Sequence, residues 1–259
     1  MCVCERVKCE AKAERRRAKG SRMPKISVVV PTLNEEAYIE RCLKSLSAQN
    51  FPHEIIVVDG GSEDRTVEIA DEYADKVFVV RERGIAYARV FGAKNARARL
   101  IYTTDADCYA PNCSLLRHFY DEFASLNAHS RVVALSGITK FPKLRGKLLE
   151  RWYYLYGRFI SPFQLGVVSL NGQNAILERD ALIRCVAGKK LPLFMDDNFF
   201  SIHLKKFGKI IFSNSPKLAN FGSERRVRSL TFALKSLYRY LIAARQLKKY
   251  GTVSIEQIR

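Results

Sequence analysis

The first half of the chain alternates short apolar runs with longer segments in which apolar positions recur at helical spacing. The apolar runs are rich in valine and isoleucine and end at proline, glycine or aspartate, which is typical of buried parallel strands. The first helical segment opens with acidic side chains, which the helix dipole favours there. The pattern predicts strands at 26–31, 55–58, 77–80 and 100–104, and helices at 35–48, 64–74 and 85–97.

Single strands that alternate with single helices indicate β-α-β units, so we predict an α/β fold with a mostly parallel sheet and helices on both faces. After about residue 130 the pattern is less regular. It predicts strands near 132–138 and 174–177 and helices near 145–158, 179–187 and 197–207. We expect one domain over residues 23–227, a disordered basic extension at 1–22 and a basic, amphipathic helical tail at 228–259.

Basic side chains outnumber acidic ones by 44 to 26, giving a formal net charge of +18. Residues 1–22, 140–158 and 224–259 carry +5, +5 and +7 of this charge, so the rest of the chain is nearly neutral. Basicity confined to such segments indicates a surface or a partner, or a solvated basic face, rather than nucleic acid. Apolar positions at helical spacing in 143–158 and 226–250 predict helices that pack on the domain or lie on an anionic membrane surface.

The seven cysteines form no CxxC pair and no array with metal-ligand spacing. Their odd number, and the lack of an apolar secretion signal in residues 1–22, predict a reducing, cytoplasmic setting. Met23 is a reasonable alternative start. No run of about 18 apolar residues occurs, so we predict no transmembrane helix and, if the basic helices bind lipid, a peripheral position on the inner face of the membrane.

Polar side chains cluster where three of the predicted strands end, which is where parallel sheets bind ligands. They are Asn34 and Glu35, then Asp59, then Asp105 and Asp107. Strand alternation would point Asp105 and Asp107 to the same side. Two such carboxylates suit Mg²⁺ or Mn²⁺, with open positions for the diphosphate of a nucleotide sugar. The alternative is a solvated turn in which Asp105 caps the next helix.

The second predicted strand ends in Asp59-Gly60-Gly61-Ser62-Glu63-Asp64. Glycines allow the backbone to turn sharply and to approach a flat ligand closely. Asp59 can accept hydrogen bonds from the edge of a nucleobase. For Ser62 and Asp64 we favour a structural role, the capping of the following helix.

Four segments together resemble the family-2 glycosyltransferases in order and spacing over residues 25–112, and a looser likeness continues to about residue 227. The segments are Val30-Pro31-Thr32-Leu33-Asn34-Glu35-Glu36, Val58-Asp59-Gly60-Gly61-Ser62-Glu63-Asp64-Arg65-Thr66, Ala88-Arg89-Val90-Phe91-Gly92-Ala93 and Thr104-Asp105-Ala106-Asp107. The resemblance implies the GT-A fold, a Rossmann-like α/β architecture, and an inverting transferase that uses a nucleotide sugar.

The resemblance also implies roles for individual residues. Asp107 would be the principal metal ligand, and Asp105 would lie near both the ribose and the metal. Arg89 would lie beside the base or a phosphate, and Asp59 would face the base. The other residues implied at the donor are Pro31, Thr32, Asn34, Glu35, Gly61, Ala106, Gly172, Asn174, Arg225 and Arg226. The family often has a second aspartate where this chain has Gly60, so uridine and guanosine donors both stay open.

In the second half, Asp196 and Asp197 match the family's acidic pair, which includes the general base. We assign the base to Asp197, opposite the leaving diphosphate, and the orientation of a loop or acceptor to Asp196. Repulsion between adjacent carboxylates would raise their proton affinity. The alternative role for the pair is helix capping.

The segment Asn171-Gly172-Gln173-Asn174 resembles the family's floor beneath the donor sugar. There Gly172 would admit the sugar, and the two side chains after it would bond its hydroxyls; a simple turn is the alternative at Asn171. Ser223-Glu224-Arg225-Arg226 resembles an element whose arginines would grip the departing diphosphate, and the alternative is a solvated basic pair.

These features predict inverting transfer of a sugar from a UDP- or GDP-sugar to an alcohol, a glycan or a lipid-linked acceptor. Nucleotidyl transfer to a sugar phosphate is the second candidate. It is disfavoured because the loop after the first strand has neither glycine nor a basic residue for a triphosphate. A non-enzymatic nucleic-acid-binding module is disfavoured because the charge lies outside the fold core and no such motif occurs.

Overall fold

The computed structural model describes most of the domain. The described residues are 23–82, 84–141, 151, 155, 159, 162, 165–193 and 195–223. The basic extension at 1–22 and the tail at 228–259 lie outside them and stay predictions. All but two residues of the helix expected near 145–158 also lie outside the described part. None of the described helices combines the length and the apolar composition needed to cross a membrane.

Nine strands and six α-helices make up the described part of the chain. The strands are β1 (Ile26–Thr32), β2 (His53–Asp59), β3 (Lys76–Val79), β4 (Leu100–Thr103), β5 (Val132–Ser136), β6 (Thr139–Lys140), β7 (Ala175–Glu178), β8 (Lys209–Phe212) and β9 (Asn220–Phe221). The helices are α1 (Glu36–Ser47), α2 (Thr66–Tyr73), α3 (Ile85–Lys94), α4 (Leu115–His129), α5 (Arg179–Cys185) and α6 (Asp196–Leu204), with a 3₁₀ turn at Pro216–Leu218.

Seven strands form one sheet in the order β3-β2-β1-β4-β7-β5-β8. All neighbours pair in parallel except β7, which runs antiparallel to both β4 and β5. Every residue of β1 and β2 is buried, as expected for strands covered on both faces. The predicted α/β fold with a mostly parallel sheet is therefore confirmed. The short strands β6 and β9 pair in parallel as a separate ribbon.

Successive residues of β1 face two different layers, because side chains alternate across a strand. Val29 packs into the layer formed by α3, α5 and α6. Val28 and Val30 pack into the opposite layer, with α1, α2 and α4. Helices thus cover both faces of the sheet, as the sequence predicts.

Helix α4 was not among the elements predicted from the sequence, although its apolar residues have helical spacing. Leu115, Leu116, Phe119 and Phe123 recur at helical spacing and are buried against the sheet. The irregular pattern after residue 130 has a topological cause, because β7 enters the sheet between two earlier positions and runs in the opposite direction.

The strand order reverses between β1 and β4, because β2 and β3 follow on one side of β1 and β4 lies on its other side. Open α/β sheets bind ligands at such a reversal, outside the carboxyl ends of the strands. The antiparallel direction of β7 brings its first residue, Ala175, beside Thr103 at the end of β4. The segment that precedes β7 therefore reaches the same edge as the ends of β1 and β4.

Candidate functional site

Arg89 lies at the centre of an acidic cluster at this edge of the sheet, with only 4% of its surface exposed. Its Nη2 donates to Asp105 Oδ1 over 2.9 Å, and its Nη1 donates to Asp197 Oδ1 over 2.8 Å. The same Nη1 also contacts Asp196. One guanidinium therefore joins the end of β4 to the start of α6. The structure brings together four residues that the sequence placed at separate positions in the site.

The position of Arg89 depends on how closely α3 approaches the sheet. Gly92, one turn further along α3, faces Val29 of β1, and a side-chain carbon at Gly92 would lie 3.1 Å from Val29 Cγ2. The absence of a side chain lets the helix pack directly on the strand. As a result, Arg89 reaches over the ends of β1 and β4 from a rigid helix.

Residues near the N-terminus of α6 hold Asp196 and Asp197 in place. Met195 precedes them in the left-handed conformation, with φ of 60°, at a cost of about 1–2 kcal/mol for a residue with a β-carbon. Within α6, the carboxamide of Asn198 accepts from Ser169, and Ser201 Oγ accepts from the amide of Leu170 over 2.9 Å. These anchors, which were not predicted from the sequence, tie the acidic pair to the chain just before Gly172.

Gly172 lies directly against the guanidinium and the acidic pair. A side-chain carbon there would meet Asp197 Oδ1 and Arg89, with the guanidinium carbon 2.6 Å away. The resemblance implied that Gly172 leaves room for the donor sugar. In this structure the space above Gly172 is filled by Asp197 and Arg89, so the glycine is required for the approach of protein groups.

Replacing Gly172 with alanine should therefore displace the carboxylate of Asp197 without changing its chemistry. We expect the turnover number to fall by about 10²-fold, because a 1 Å misplacement of a reacting group has that effect, while the KM for the donor changes little. Steady-state kinetics at varied donor concentration would measure the turnover number and the KM separately. A Gly188→Ala variant, which has open space but a φ of 69° that strains any side chain, controls for a general loss of stability away from the site. A G172A enzyme with unchanged turnover would contradict this interpretation.

Both carboxyl groups of the acidic pair hold protons more tightly than a free aspartate. Burial is the largest cause of the raised pKa of Asp196, and Arg89 acts against it. Burial and then the charge of Asp196 raise the pKa of Asp197 to about 7. For Arg89, burial works to lower the pKa, but the surrounding carboxylates outweigh it and the pKa is raised, so the guanidinium stays charged. Asp197 keeps 32% of its side chain exposed, which leaves it accessible to a reacting group.

Asp105 and Asp107 belong to a tight loop that we call the aspartate loop (residues 104–110). The strand ends at Thr103 and a turn follows, closed by the amide of Cys108 donating to Asp105 O over 3.0 Å. The expectation that strand alternation orients both carboxylates was therefore wrong in its reason, because neither residue belongs to the strand. Both aspartates are 8% exposed, and Cys108 Sγ makes a weak 3.8 Å contact with Asp107 Oδ1.

The chemistry of these donors fits a divalent cation in an open site. Within the described residues, no group of three or more His, Cys, Asp or Glu side chains is arranged to enclose a metal ion. A cation such as Mg²⁺ is commonly held by one or two carboxylates together with substrate phosphates and water. Asp105 and Asp107 supply such a pair, and water or the phosphates of a donor would supply the remaining ligands of the metal.

The loops after β1 and β2 are held together by reciprocal hydrogen bonds. Ser62 Oγ accepts from the amide of Asn34 over 2.8 Å, and Asn34 Oδ1 accepts from the amide of Glu63 over 2.9 Å. Asp64 accepts from the first amides of both α1 and α2, at Glu36 and Thr66. The structure thus shows Asp64 as a cap, as favoured from the sequence, while Ser62 bonds to the loop that precedes α1.

Asp59 is completely buried, and its carboxylate accepts from the amides of Gly61 and Ser62 over 3.2 and 2.7 Å. It shapes the turn after β2 in this structure. The predicted contact between the Asp59 carboxylate and a nucleobase would require this turn to open. Gly61 has φ of 89°, which favours glycine.

Asn174 is also completely buried, and its carboxamide is used within the fold. Its Nδ2 donates to the carbonyls of Ile138 and Leu218 over 2.9 and 2.7 Å, and its Oδ1 accepts from Tyr102 over 2.8 Å. These bonds give Asn174 a structural role in place of the expected sugar contact. Nearby, Asn171 Nδ2 donates to Gly137 O over 3.0 Å.

Three buried polar atoms, two at the ends of β1 and β4 and one on α3, have no hydrogen-bond partner within the described residues. They are Thr32 Oγ1, Thr103 Oγ1 and Arg89 Nε. Buried polar groups are nearly always bonded, so such atoms call for a ligand or water. Thr32 was predicted at the donor from sequence; Thr103 was not, and only its place beside the acidic cluster identifies it. Arg225 and Arg226 lie outside the described residues and stay predictions.

Comparison with proteins of known sequence gives partial matches to glycosyltransferases. An uncharacterized glycosyltransferase, EpsJ of Bacillus subtilis, is 37% identical over 101 residues, which are 37% of this chain and 29% of that protein. The dolichol-phosphate mannosyltransferase of Pyrococcus furiosus is 31% identical over 147 residues, 53% of this chain and 42% of the relative. The matched segments thus span less than half the length of these relatives.

Comparison with solved structures shows the same fold over most of the chain. The mannosyltransferase PcManGT of Pyrobaculum calidifontis, solved with GDP-Man and Mn²⁺, matches with a TM-score of 0.64 at 20% identity, covering 92% of this chain and 70% of its own. Staphylococcus aureus TarS, solved with UDP-GlcNAc, gives 0.59 at 23% identity, covering 86% and 66%. At these identities the likeness shows the fold alone.

The family model described as glycosyl transferase family 2 matches residues 27–185, which is more than half of the chain. The matched range includes β1, the loop after β2, Arg89 and the aspartate loop. It ends at the last residue of α5, before the acidic pair. The chain belongs to glycosyl transferase family 2.

Proposed function

We propose that this protein transfers a sugar, with inversion at the anomeric carbon, from a nucleoside-diphosphate sugar to a hydroxyl group of a glycan or a lipid-linked acceptor. The observation that carries the proposal is the cluster around Arg89. There, one buried guanidinium holds a carboxylate of the aspartate loop and a carboxylate with a raised pKa at the start of α6. A donor-side group and a candidate base are thereby fixed relative to one another.

The charge of the cluster supports a donor that arrives with a cation. Asp105, Asp196 and Asp197 contact the guanidinium of Arg89, and Asp107 lies two residues from Asp105, so within the described residues the site carries more carboxyl groups than this one cation balances. A diphosphate would be repelled from such a site unless a divalent cation came with it. Bound between the aspartate loop and the diphosphate, that cation would neutralise the charge on the leaving group.

Asp197 is the proposed general base. Its carboxylate accepts the proton of the acceptor hydroxyl while the acceptor oxygen forms a bond to the anomeric carbon. The bond from that carbon to the diphosphate oxygen breaks in the same event, and the nucleoside diphosphate departs with the electron pair. Attack from the side opposite the leaving group inverts the configuration. A base with a raised pKa is well matched to proton removal near neutral pH.

Arg89 and the loops supply position rather than reacting groups. The guanidinium keeps Asp105 and Asp197 at a fixed separation, and the bonded loops after β1 and β2 form the nucleoside side of the site with Pro31, Thr32 and Glu35. The loop after β1 lacks a glycine-rich phosphate cradle, which disfavours nucleotidyl transfer. The match to the glycosyltransferase family also favours sugar transfer.

Thermal unfolding in the presence of nucleotide sugars tests the proposal. We expect one of the UDP-, GDP- or dTDP-sugars to stabilise the protein with Mn²⁺ or Mg²⁺ present, because a ligand at 100 times its dissociation constant adds about 2.7 kcal/mol. Addition of EDTA should remove most of this thermal stabilisation, and it should also stop the release of nucleoside diphosphate. The Asp107→Asn variant should lose the part of the thermal stabilisation that depends on the metal. The Asp121→Asn variant, which changes a residue of α4, should keep it. Failure of all nucleotide sugars to bind with either metal would refute the proposal.

A further inference from the structure

Three side chains on one side of the aspartate loop form a continuous stack. The guanidinium of Arg41 lies 3.5 Å from the centre of the Tyr109 ring. Phe221 stacks on the same ring, with the centroids 5.4 Å apart and the planes inclined by 15°. We call Arg41, Tyr109 and Phe221 the aromatic stack. It joins α1, the aspartate loop and β9, which are far apart in sequence.

The backbone strengthens the same connection. The amide of Tyr109 donates to Phe221 O over 2.8 Å, and the amide of Phe221 donates to Tyr109 O over 3.0 Å. These two bonds form an isolated antiparallel bridge. Tyr109 is two residues from Asp107, so the bridge fixes the backbone directly beside the candidate metal ligand.

Helix α1 also bonds to backbone atoms of the aspartate loop at two points. Cys42 Sγ donates to Asp105 O over 3.7 Å, and Ser45 Oγ accepts from the amide of Ala110 over 2.9 Å. Arg41 adds its contact with Tyr109 from the same helix. The loop is therefore fixed at its beginning, near its end and through the ring that projects from it.

Strand β9 connects the stack to the segment that underlies the acidic cluster. Asn220 Nδ2 donates to Gln173 O over 2.7 Å, and β9 pairs with β6 through Asn220 and Phe221. Gln173 follows Gly172, which lies against Asp197. Contacts through β9 thus link the donor side of the site to its acceptor side by a second path that does not use Arg89.

We propose that the aromatic stack positions the aspartate loop for cation binding and fixes its distance from β9. The inference rests on the proposed function, because it assumes that the aspartate loop binds the metal. None of the three side chains would touch the metal or the sugar; they act through the backbone of the loop. Groups that orient the ligands of a metal commonly change its affinity by about 10–100-fold when they are removed.

The test measures Mn²⁺ binding without nucleotide, from the electron paramagnetic resonance signal of free Mn²⁺. We expect Tyr109→Ala and Phe221→Ala each to weaken binding by about tenfold, and the double variant to be no weaker than either single variant, because both remove one stack. Tyr109→Phe, which keeps the ring and the backbone bridge, should restore wild-type affinity. Arg41→Met, an exposed substitution on α1 that leaves the core intact, should weaken binding by about threefold.

Tyr120→Ala is the matched control. Its ring pairs with Phe51 with centroids 4.9 Å apart and lies under Lys25. Tyr120 is on α4 and Phe51 lies just before β2, so neither residue belongs to α1, the aspartate loop or β9. It should leave the Mn²⁺ affinity unchanged. Equal affinities for the Tyr109→Ala, Arg41→Met and Tyr120→Ala variants would overturn the inference, as would a wild-type protein that binds no Mn²⁺. If Mn²⁺ binding responds as expected but no nucleotide sugar is bound or turned over, the proposed function fails and the positioning of the loop stands.

Discussion

Replacing Asp197 with asparagine should lower the rate of transfer to a hydroxyl acceptor by about 10³-fold, within the range for loss of a general base. Asparagine has nearly the same shape and can still contact Arg89, but it cannot accept the proton of the acceptor. The KM for the donor should change little, because the lost interaction belongs to the transition state. Initial rates of nucleoside-diphosphate release, with the donor and acceptor varied separately, would measure both quantities.

The pH dependence of the same reaction gives a second readout. Asp197 must be ionised to act as a base, and burial together with Asp196 raises its pKa to about 7. The rate of the wild-type enzyme should therefore rise as the pH increases through about 7 and then level off. The Asp197→Asn variant should not show this rise in rate. Asp180→Asn, which removes an exposed carboxylate at the start of α5, should leave the profile intact.

The chemical class of the acceptor determines how strongly the Asp197→Asn substitution lowers the rate. A phosphate acceptor is already anionic and requires little help from a base, so the Asp197→Asn variant would then keep substantial activity. A hydroxyl acceptor predicts nearly complete loss. Full activity of the variant with a hydroxyl acceptor would contradict the assignment of Asp197 as the base.

As the pH rises towards 7, the stability of the wild-type protein should fall while its activity rises. Below about pH 4 the carboxyl group of Asp197 is protonated in both the folded and the unfolded state. Between that pH and about 7 the unfolded chain releases the proton while the folded protein keeps it, so the wild type loses stability as the pH rises. The asparagine variant does not have this loss. The unfolding temperature of the Asp197→Asn variant, measured relative to that of the wild type, should therefore increase from pH 4 to 7 and stay constant above pH 7.

Replacing Arg89 with methionine should lower the free energy of unfolding by about 3–5 kcal/mol, because removal of one partner leaves buried charges uncompensated. Asp105, Asp196 and Asp197 would face one another without the guanidinium between them. Sugar transfer should be lost as well, since the base and the aspartate loop lose their common partner. Urea unfolding followed by circular dichroism would measure the first effect and donor turnover the second.

Two further variants make this prediction specific. Arg89→Lys keeps the charge but cannot reach two carboxylates with a planar fork, so intermediate stability and low activity are expected. Arg97→Met removes an arginine from the buried carboxylate of Glu54 at the opposite end of the sheet, and it should lower stability without affecting turnover by the folded enzyme. Acidification should reduce the difference in the free energy of unfolding between Arg89→Met and the wild type, because the carboxyl groups that have lost their cation take up protons. Equal unfolding midpoints at neutral pH would refute the role of Arg89.

The local elements were predicted well where one signal dominates. The strands at 26–31 and 55–58 are continuous apolar runs, and the structure extends each by only a few residues. Where several helices and short strands follow one another after residue 130, local pattern does not specify the order of strands in the sheet. The insertion of β7 between β4 and β5 depends on contacts between distant segments, which no short window of sequence contains.

The site shows the same division between local and tertiary information. The sequence placed Asp105 and Asp197 at the site, but nothing in the spacing of 92 residues between them indicates that one arginine bonds both. The resemblance to the family-2 glycosyltransferases implied that Asp59 and Asn174 contact the donor. The structure shows both completely buried with their polar atoms bonded within the fold, and burial is a property of the packed chain.

The sequence by itself determined the α/β architecture, the family and the identity of the acidic groups, because strand periodicity and short motifs are local properties. Only the tertiary structure decided which groups work together. It bonded Arg89 to both sides of the site, filled the space above Gly172 with protein groups, and fixed the aspartate loop between α1 and β9. Burial, distance and the resulting change in the pKa of Asp197 arise from elements that meet only when the chain is folded.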